Sequence, residues 1–314
     1  MQKFLSIYFS LCLIISIIFT ACSSSSVEDI PTQEEPQTAI GFNAKVNSRA
    51  LADIDDVKEN GFAVWGGYDK NNVFSGDTVT YTNGDWDYGT PKYWVLNETY
   101  NFYAFYPASL TGLKANDDGS FIIEDFNLQS NTNNAVDSED RIDLLRAAVL
   151  NRESSNTQAV NMQFTHMLTQ IEVYALKEGT NNSVTINEVK IYGIPAVATY
   201  TDLTTTWTTV TSTTTASPFR SASNITLSTT ATNVFGVALW VAPVLDNNTV
   251  VSVTYTQNGS QKTKEMHPVA YSNWEPGKKY KYTITFIDDG TILFDTPKIV
   301  PWTNANGSII IVDE

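Results

Sequence analysis

From Ile40 onward, hydrophobic positions recur with the period of two that a pleated strand requires, and turn residues interrupt them at short intervals. Val251, Val253 and Tyr255 alternate with Ser252 and Thr254, which predicts a strand buried on one face. Tyr280, Tyr282, Ile284 and Phe286 alternate in the same way with Lys281, Thr283 and Thr285. Residues 234–241 and 100–106 carry apolar or aromatic side chains on both faces, the pattern of strands covered from both sides. Phe62-Ala63-Val64-Trp65 opens a strand that breaks at Gly66-Gly67. Asn-Gly stands between β-forming runs at 83–84, 258–259 and 306–307, and Asp118-Gly119 is a fourth turn candidate. Both central residues of the tightest hairpin turns need positive φ, which these pairs accept, so antiparallel sheets are expected.

Two stretches read differently. In residues 137–151, Ile142, Leu145 and Val149 lie at spacings of three and four, which predicts a short helix. Residues 199–217 hold 11 threonines in 19 positions around Trp207; threonine favours extended chain but builds little core, so solvent-facing strands or a long surface loop are expected. The polar stretch 152–158 marks a domain boundary, in keeping with 314 residues at about 150 per domain. No fixed-period repeat points to a solenoid or propeller.

Composition narrows the functional classes. With 12% aromatics and 42% hydrophobic residues the chain can build a core and is not a disordered polymer. Its net charge of −15 argues against nucleic acid and against docking on an anionic membrane surface. Two histidines leave little room for a metal centre, and HExxH, GxSxG, GxGxxG and Walker-type loops are all missing from the sequence. The expectation is a non-enzyme without cofactor or metal.

The N-terminal region reads as an address. Met1-Gln2-Lys3 precedes an uncharged stretch from Phe4 to Phe19, and Thr20-Ala21-Cys22 follows. Phe19-Thr20-Ala21-Cys22 resembles a bacterial lipobox, with cleavage between Ala21 and Cys22 and lipid on Cys22. An uncleaved membrane anchor is the rival reading, because the apolar run is near the lower limit for spanning. With Cys12 inside the signal, a lipidated Cys22 leaves no thiol for a disulfide. Residues 23–36, rich in Ser, acids and Pro, read as a tether. Acidic residues soon after such a cysteine resemble a surface-export signal.

Candidate chemistry is sparse. Phe164, His166 and Leu168 share a strand face, which makes His166 a hydrogen-bonded core or interface histidine; His267, before Pro268, is structural as well. Asp85 and Asp87 flank Trp86, and Glu139, Asp140 and Asp143 cluster elsewhere; paired acids suit glycoside hydrolysis only at a fixed separation. The group Trp86, Tyr88, Tyr93, Trp94, Tyr100, Phe102, Tyr103, Phe105 and Tyr106 is either core or a platform on which sugars stack. Arg49 is one of five arginines and the next is Arg141; between the strand-like residues 40–46 and the globular body it is either a lone surface residue or a site for a trypsin-like protease.

Several segments together resemble the fimbrillin family, the type V pilins of Gram-negative anaerobes. The likeness lies in Trp86-Asp87-Tyr88 with Lys92-Tyr93-Trp94, in Tyr100-Asn101-Phe102-Tyr103-Ala104-Phe105-Tyr106-Pro107, and in Asp143-Leu144-Leu145-Arg146-Ala147. It continues in Phe164-Thr165-His166-Met167-Leu168 and in Trp274-Glu275-Pro276-Gly277-Lys278-Lys279-Tyr280-Lys281-Tyr282. The resemblance implies two tandem transthyretin-like antiparallel β-sandwich domains of Greek-key type, and an extended rather than helical segment at Asp143-Leu144-Leu145. It also implies export as an outer-membrane lipoprotein and cleavage after an arginine by an Arg-specific maturation protease. The cut frees an N-terminal strand, and a neighbouring subunit's C-terminal strand fills the groove, giving a head-to-tail fimbrium.

On this reading residues 1–21 are signal, 22–49 a tether and removable strand, 50–158 and 159–290 the two domains, and 291–314 a C-terminal hairpin. Cleavage falls between Arg49 and Ala50. Ser308, Ile309, Ile310, Ile311 and Val312 form the donor strand, or alternatively an ordinary last strand of their own domain. The expected role is a pilus shaft subunit with other fimbrial subunits as partners and a host or glycan ligand. The rivals are a glycan-binding surface lipoprotein that exposes Trp86, Tyr93 and Trp94, and an enzyme acting on surface polysaccharide.

Overall fold

The computed structural model describes residues 37–46, 52–116, 120–127, 143–180, 183–193, 197–202, 206–209, 219–235, 238–240, 248–268 and 274–301. The first elements are β1 (Phe42–Val46), α1 (Ile54–Asn60), β2 (Phe62–Tyr68), β3 (Asn71–Thr82), β4 (Asp85–Asp87) and β5 (Thr99–Tyr106). A hairpin of β6 (Leu113–Ala115) and β7 (Phe121–Asn127) follows, then β8 (Leu145–Glu153) and β9 (Val160–His166). Next come β10 (Thr169–Lys177), β11 (Val184–Tyr192), β12 (Val197–Thr201), β13 (Thr206–Thr209), β14 (Phe219–Thr226), β15 (Thr232–Asn233) and β16 (Ala238–Trp240). The last are β17 (Val250–Gln257), β18 (Ser260–Met266), β19 (Lys278–Phe286), β20 (Ile292–Phe294) and β21 (Lys298–Pro301). The chain is all-β apart from one two-turn helix among the described residues.

Seven strands form the first sheet in the order β1-β9-β8-β5-β2-β3-β4. Its ends come together: Phe42 of β1 packs 5.1 Å from Phe74 of β3 and 5.8 Å from Tyr88, just past β4. The sheet thus curls around an aromatic cluster that includes Phe62, Trp94, Tyr100, Phe102 and Phe164. A second cluster, in which Ile and Val mix with aromatic rings, lies among the sheets β15-β10-β19-β20, β14-β11-β17-β18 and β13-β12-β7-β6. Strand β5 faces both clusters. Tyr100, Phe102, Ala104 and Tyr106 enter the first, while Phe105 and the half-buried Tyr103 meet the second. Its aromatics on both faces follow from that position between two cores.

The hairpin signals act as their chemistry requires. Asn83 and Gly84 (φ 57° and 97°) join β3 to β4 with Thr82 opposite Asp85, and Asn258 and Gly259 (φ 50° and 80°) join β17 to β18 with Gln257 opposite Ser260. Asp118-Gly119 and Asn306-Gly307 lie outside the described residues. In β7, Phe121 and Ile123 point into the second core, and Asp125 (φ 49°) sits at a bulge that turns Phe126 to the same side. A similar register shift after Ile186 lets Val184 and Ile186, then Val189 and Ile191, all face inward.

Four expectations are corrected. Where the spacing predicts a helix over 137–151, residues 145–151 are strand: β8 pairs with β5 and β9, and Leu145, Ala147 and Val149 alternate toward the first core. Ladder pairing and burial override a weak helical period of three residues. Gly66-Gly67 does not end β2 but carries a register shift within it. The boundary at 152–158 falls inside the first sheet, because β9 pairs with β8 and β1; the chain leaves that sheet only after His166. Among the described strands antiparallel pairing has two exceptions, β1 with β9 and β10 with β19, both parallel. The threonine-rich stretch supplies β12 and β13, whose Ala198, Tyr200 and Trp207 are buried; Trp207 Nε1 donates to Met167 O at 2.9 Å.

Candidate functional site: the seat of the first strand

Strand β1 is bound from two sides by different partners. Along one flank it runs parallel to β9, with five residue pairs from Phe42–Val160 to Val46–Phe164. Just before it, Val160 N–H donates to Gly41 O at 2.8 Å. On the other flank the residues leading into β1 meet the segment 92–94. Ile40 N–H donates to Lys92 O at 2.7 Å, Trp94 N–H donates to Thr38 O at 3.1 Å, and Ala39 bridges Tyr93. The Tyr88 hydroxyl donates to Ile40 O at 2.6 Å and accepts from Lys92 N–H at 3.2 Å, tying both sides of this clasp together.

Alternation decides which side chains do the holding. Ile40, Phe42 and Val46 are buried, whereas Asn43 and Lys45 face solvent, and Asn43 Nδ2 donates to Asn161 Oδ1 at 3.2 Å. The receiving strand repeats the pattern: Val160, Met162 and Phe164 are buried, and Asn161, Gln163 and Thr165 exposed. Phe42 meets Phe62, Phe74, Tyr88 and Phe102 edge-on at 5.1–6.4 Å, the arrangement aromatic rings prefer. Each of Ile40, Phe42 and Val46 gains roughly 1.5–3 kcal/mol on burial, while the ladder supplies register. Without β1 the site would be an apolar slot bounded by bare strand backbone, the chemistry that receives an added strand.

Charges steady the clasp from outside. Lys92 Nζ pairs with Asp77 and lies 4.5 Å from the Phe74 ring centroid. Burial pushes the Asp77 carboxyl up, but the Lys92 ammonium and the Ser75 N–H outweigh it and hold its pKa below the usual value. Burial raises the Tyr88 hydroxyl, so it stays a donor at neutral pH. At the far end of β9, His166 Nδ1 lies 2.8 Å from Asp143 Oδ2, both buried; desolvation drives the Asp143 carboxyl upward and His166 opposes it. His166 is thus the hydrogen-bonded core histidine its strand position predicts, and His267 is exposed.

The match to known families fits this architecture. The family model described as fimbrillin-like matches residues 51–302. The chain belongs to the fimbrillin-like family. That membership places it among fimbrial structural proteins of the cell surface. Among solved structures, a fimbrial protein from Bacteroides vulgatus superposes with a TM-score of 0.59 at 17% identity, covering 85% of this chain and 100% of that one. A candidate cell adhesion protein from Bacteroides ovatus gives 0.57 at 16%, covering 86% and 99%. Another from Bacteroides uniformis gives 0.56 at 18%, covering 85% and 99%. These three share the fold. No curated protein sequence matches the chain.

In the fimbrillin-like fold the remaining candidates separate clearly. Ala21, Cys22, Arg49, Ala50 and the donor residues Ser308, Ile309, Ile310, Ile311 and Val312 lie outside the described residues, as do Glu139 and Asp140. Arg49 belongs to the five-residue interval of sequence between Val46 and the buried Ala52. The aromatic platform does not form: Trp94 is 4% exposed against Tyr100 and Phe102, and Trp86 is half-buried against Phe62 and Tyr81. Of the three only Tyr93 is exposed. Asp85 and Asp87 are exposed on the edge strand β4. Sequence reading missed Tyr88 and Lys92 as the clasp; their signal was proximity to an Asn-Gly turn, which does not reveal a partner some fifty residues upstream.

Proposed function

We propose that this fimbrillin-like chain is a structural subunit of a cell-surface fimbrium that polymerises by strand exchange at the seat of β1. The single observation that carries the reading is that seat: a short strand at a sheet edge, parallel to β9, buries its apolar face in a core that the rest of the chain builds. In the proposed sequence of events the chain is exported as a lipoprotein held in the outer membrane through Cys22, after cleavage between Ala21 and Cys22. An Arg-specific protease then cuts between Arg49 and Ala50, which detaches β1 from the body of the subunit. Residues 308–312 of a neighbouring copy enter the slot beside β9, and alternate side chains of the apolar run Ile309, Ile310, Ile311 and Val312 take the place of those of Ile40, Phe42 and Val46. One such contact leaves the next slot open, so growth is head-to-tail. On this reading two tandem sandwich domains carry the slot and the donor at opposite ends of the sequence.

The test is limited digestion of residues 23–314 with an Arg-specific protease, with mass spectrometry to locate the cut and size exclusion to follow assembly. The expected result is one clean cut after Arg49, followed by oligomers that vanish when residues 308–314 are deleted. Resistance at Arg49 with a persistent monomer overturns the shaft-subunit reading.

A further inference from the structure

The register shift at Gly66-Gly67 opens a second feature, on the side of the first sheet where Trp65 and Tyr103 meet the second core. A cleft of about 410 Å³ lies there, between the turn joining β2 to β3, the middle of β5 and the β6–β7 hairpin. That volume is within the range of small-ligand sites, roughly 300–1,000 Å³. Two glycines make its floor. A Cβ on Gly66 would come within 2.6 Å of Asn101 O, and one on Gly67 within 1.8 Å of Asn71 O. Only glycines let the backbones of β3 and β5 approach this closely, and they leave the floor free of side chains.

Two aromatic rings flank that floor, and both are fixed. Trp65 rests on Gly76, whose φ of 92° and lack of a Cβ make room for the indole, and it stands edge-on to Phe105 and Phe121 at 5.9 and 5.4 Å. Tyr103 tilts against Phe121 at 5.0 Å, with the Arg146 guanidinium 5.9 Å from its ring centroid. Both rings are half-buried, so part of each remains open to solvent. Rings held this way lose little freedom on meeting a ligand.

Most of the polar side chains around them are amides. Asn101 Oδ1 accepts Asn151 N–H at 2.9 Å, which fixes that amide and leaves its NH2 to donate outward. Asn116 Nδ2 donates to Ser120 Oγ at 2.9 Å, which leaves its carbonyl oxygen as an acceptor. Asn71 and Asn72 stand exposed at the rim. The cleft therefore offers donors and acceptors side by side, the match for hydroxyls, which do both. None of its described lining residues is Lys or Arg, and its one charged group is the Asp69 carboxylate. On a chain of net charge −15 this arrangement repels anions.

We propose that this cleft binds a neutral carbohydrate, with a sugar ring against Trp65 and Tyr103 and its hydroxyls bonded to Asn71, Asn72, Asn101 and Asn116. Sialylated, sulfated and phosphorylated ligands are excluded by charge. The two rings pack on the second core and β1 on the first; of the lining residues Phe74 alone also contacts Phe42, at 5.1 Å, and the amides and the two rings do not touch β1.

The test uses the full chain in detergent on a printed array of neutral hexose and N-acetylhexosamine oligosaccharides with their sialylated counterparts. The strongest neutral binder is then titrated in solution by calorimetry. Asn72→Ala removes an exposed amide with no packing role and is expected to weaken binding about tenfold, while the urea midpoint stays unchanged. Trp65→Phe keeps a ring against Phe105 and Phe121 and is expected to weaken binding further and to abolish any ligand-induced change in tryptophan fluorescence. Binding is expected to be the same before and after cleavage at Arg49, so a failure of strand exchange leaves this result standing. An array blank for all neutral sugars, a preference for the sialylated forms, or affinity unchanged in both variants each overturns the proposal.

Discussion

Parallel pairing occurs twice among the described strands, and the two pairs are built to different ends. Strand β1 meets β9 through five residue pairs at the rim of its sheet, and only its lead-in residues are clasped on the opposite flank. Strand β19 meets β10 through eight pairs from Gln170–Lys279 to Lys177–Phe286, and its other flank is covered by β21 and β20 in turn. Both strands bury alternate side chains: Ile40, Phe42 and Val46 in one, Tyr280, Tyr282, Ile284 and Phe286 in the other. Burial is therefore not what distinguishes them. Strand β19 is locked in by two neighbours along its length and by Trp274 Nε1 donating to the Tyr282 hydroxyl at 2.8 Å. Strand β1 can be withdrawn without unzipping any other strand pair, so the difference between the two lies in backbone connectivity rather than in side-chain hydrophobicity.

Two core truncations break the comparison apart. Phe42→Ala is expected to cost about 3–5 kcal/mol in the intact chain, because a ring contacting four others is lost from a closed cluster. The same substitution should have no effect on the body of the protein once residues up to Arg49 are detached. Ile284→Ala in β19 is expected to cost about 2–5 kcal/mol, with the same loss before and after that detachment. Urea melts of both variants, cut and uncut, check this. An equal loss for Phe42→Ala in the cut protein would show that β1 stays bound after cleavage.

How much of this was legible beforehand differs by scale. Alternation at Tyr280–Phe286 and Val251–Tyr255 and the turns at Asn83-Gly84 and Asn258-Gly259 are local signals, and the strands and turns form where they predict, although Ser252 and Thr285 on the polar faces are buried as well. The helix α1 was missed because it is seven residues long with one fully buried apolar residue, Val57. Its signal was there: Asp53 accepts N–H groups of Asp55 and Asp56, Asp56 accepts Asp53 N–H, and Gly61 at φ 66° ends it, but with Asp in place of the usual Glu or Gln. Residues 40–46 were legible as a strand. Their partner was not, since β9 lies 118 residues further on and no short-range pattern specifies a long-range parallel register. The cleft was illegible for the same reason: its walls come from β2, β3, β5, β6 and β7, and the sequence showed only Gly66-Gly67 as an apparent break.

The clasp can be loosened without touching either core. Tyr88→Phe keeps the ring against Phe42 and Phe74 but removes the hydroxyl shared by Ile40 O and Lys92 N–H. The expected loss is about 1 kcal/mol, with faster amide exchange at Ile40 and Trp94 and unchanged exchange at Tyr280. An equal acceleration at both places would mean that β1 and β19 open together, which would erase the contrast between them.

The smallest effect is electrostatic and has a definite sign. Asp77 has a folded-state pKa below its unfolded value of about 3.9, because Lys92 and the Ser75 N–H outweigh its burial. Its contribution is therefore present above about pH 4 and disappears as pH falls through the lowered folded value, where the carboxyl takes up a proton in both states. The pair is partly solvated, so the contribution is below about 1 kcal/mol. Asp77→Asn retains an acceptor for Ser75 N–H but cannot attract the Lys92 ammonium. Every other carboxylate, including the buried Asp143, is common to the two proteins and cancels in their difference. The expected result is a wild type slightly more stable than Asp77→Asn at pH 7, with the gap closing as acid protonates Asp77, read from paired urea melts. Amide exchange should place that gap at Ile40, whose N–H is held by Lys92 O. A gap constant down to pH 2 would show that Asp77 acts through hydrogen bonding alone and that charge has no part in holding β1.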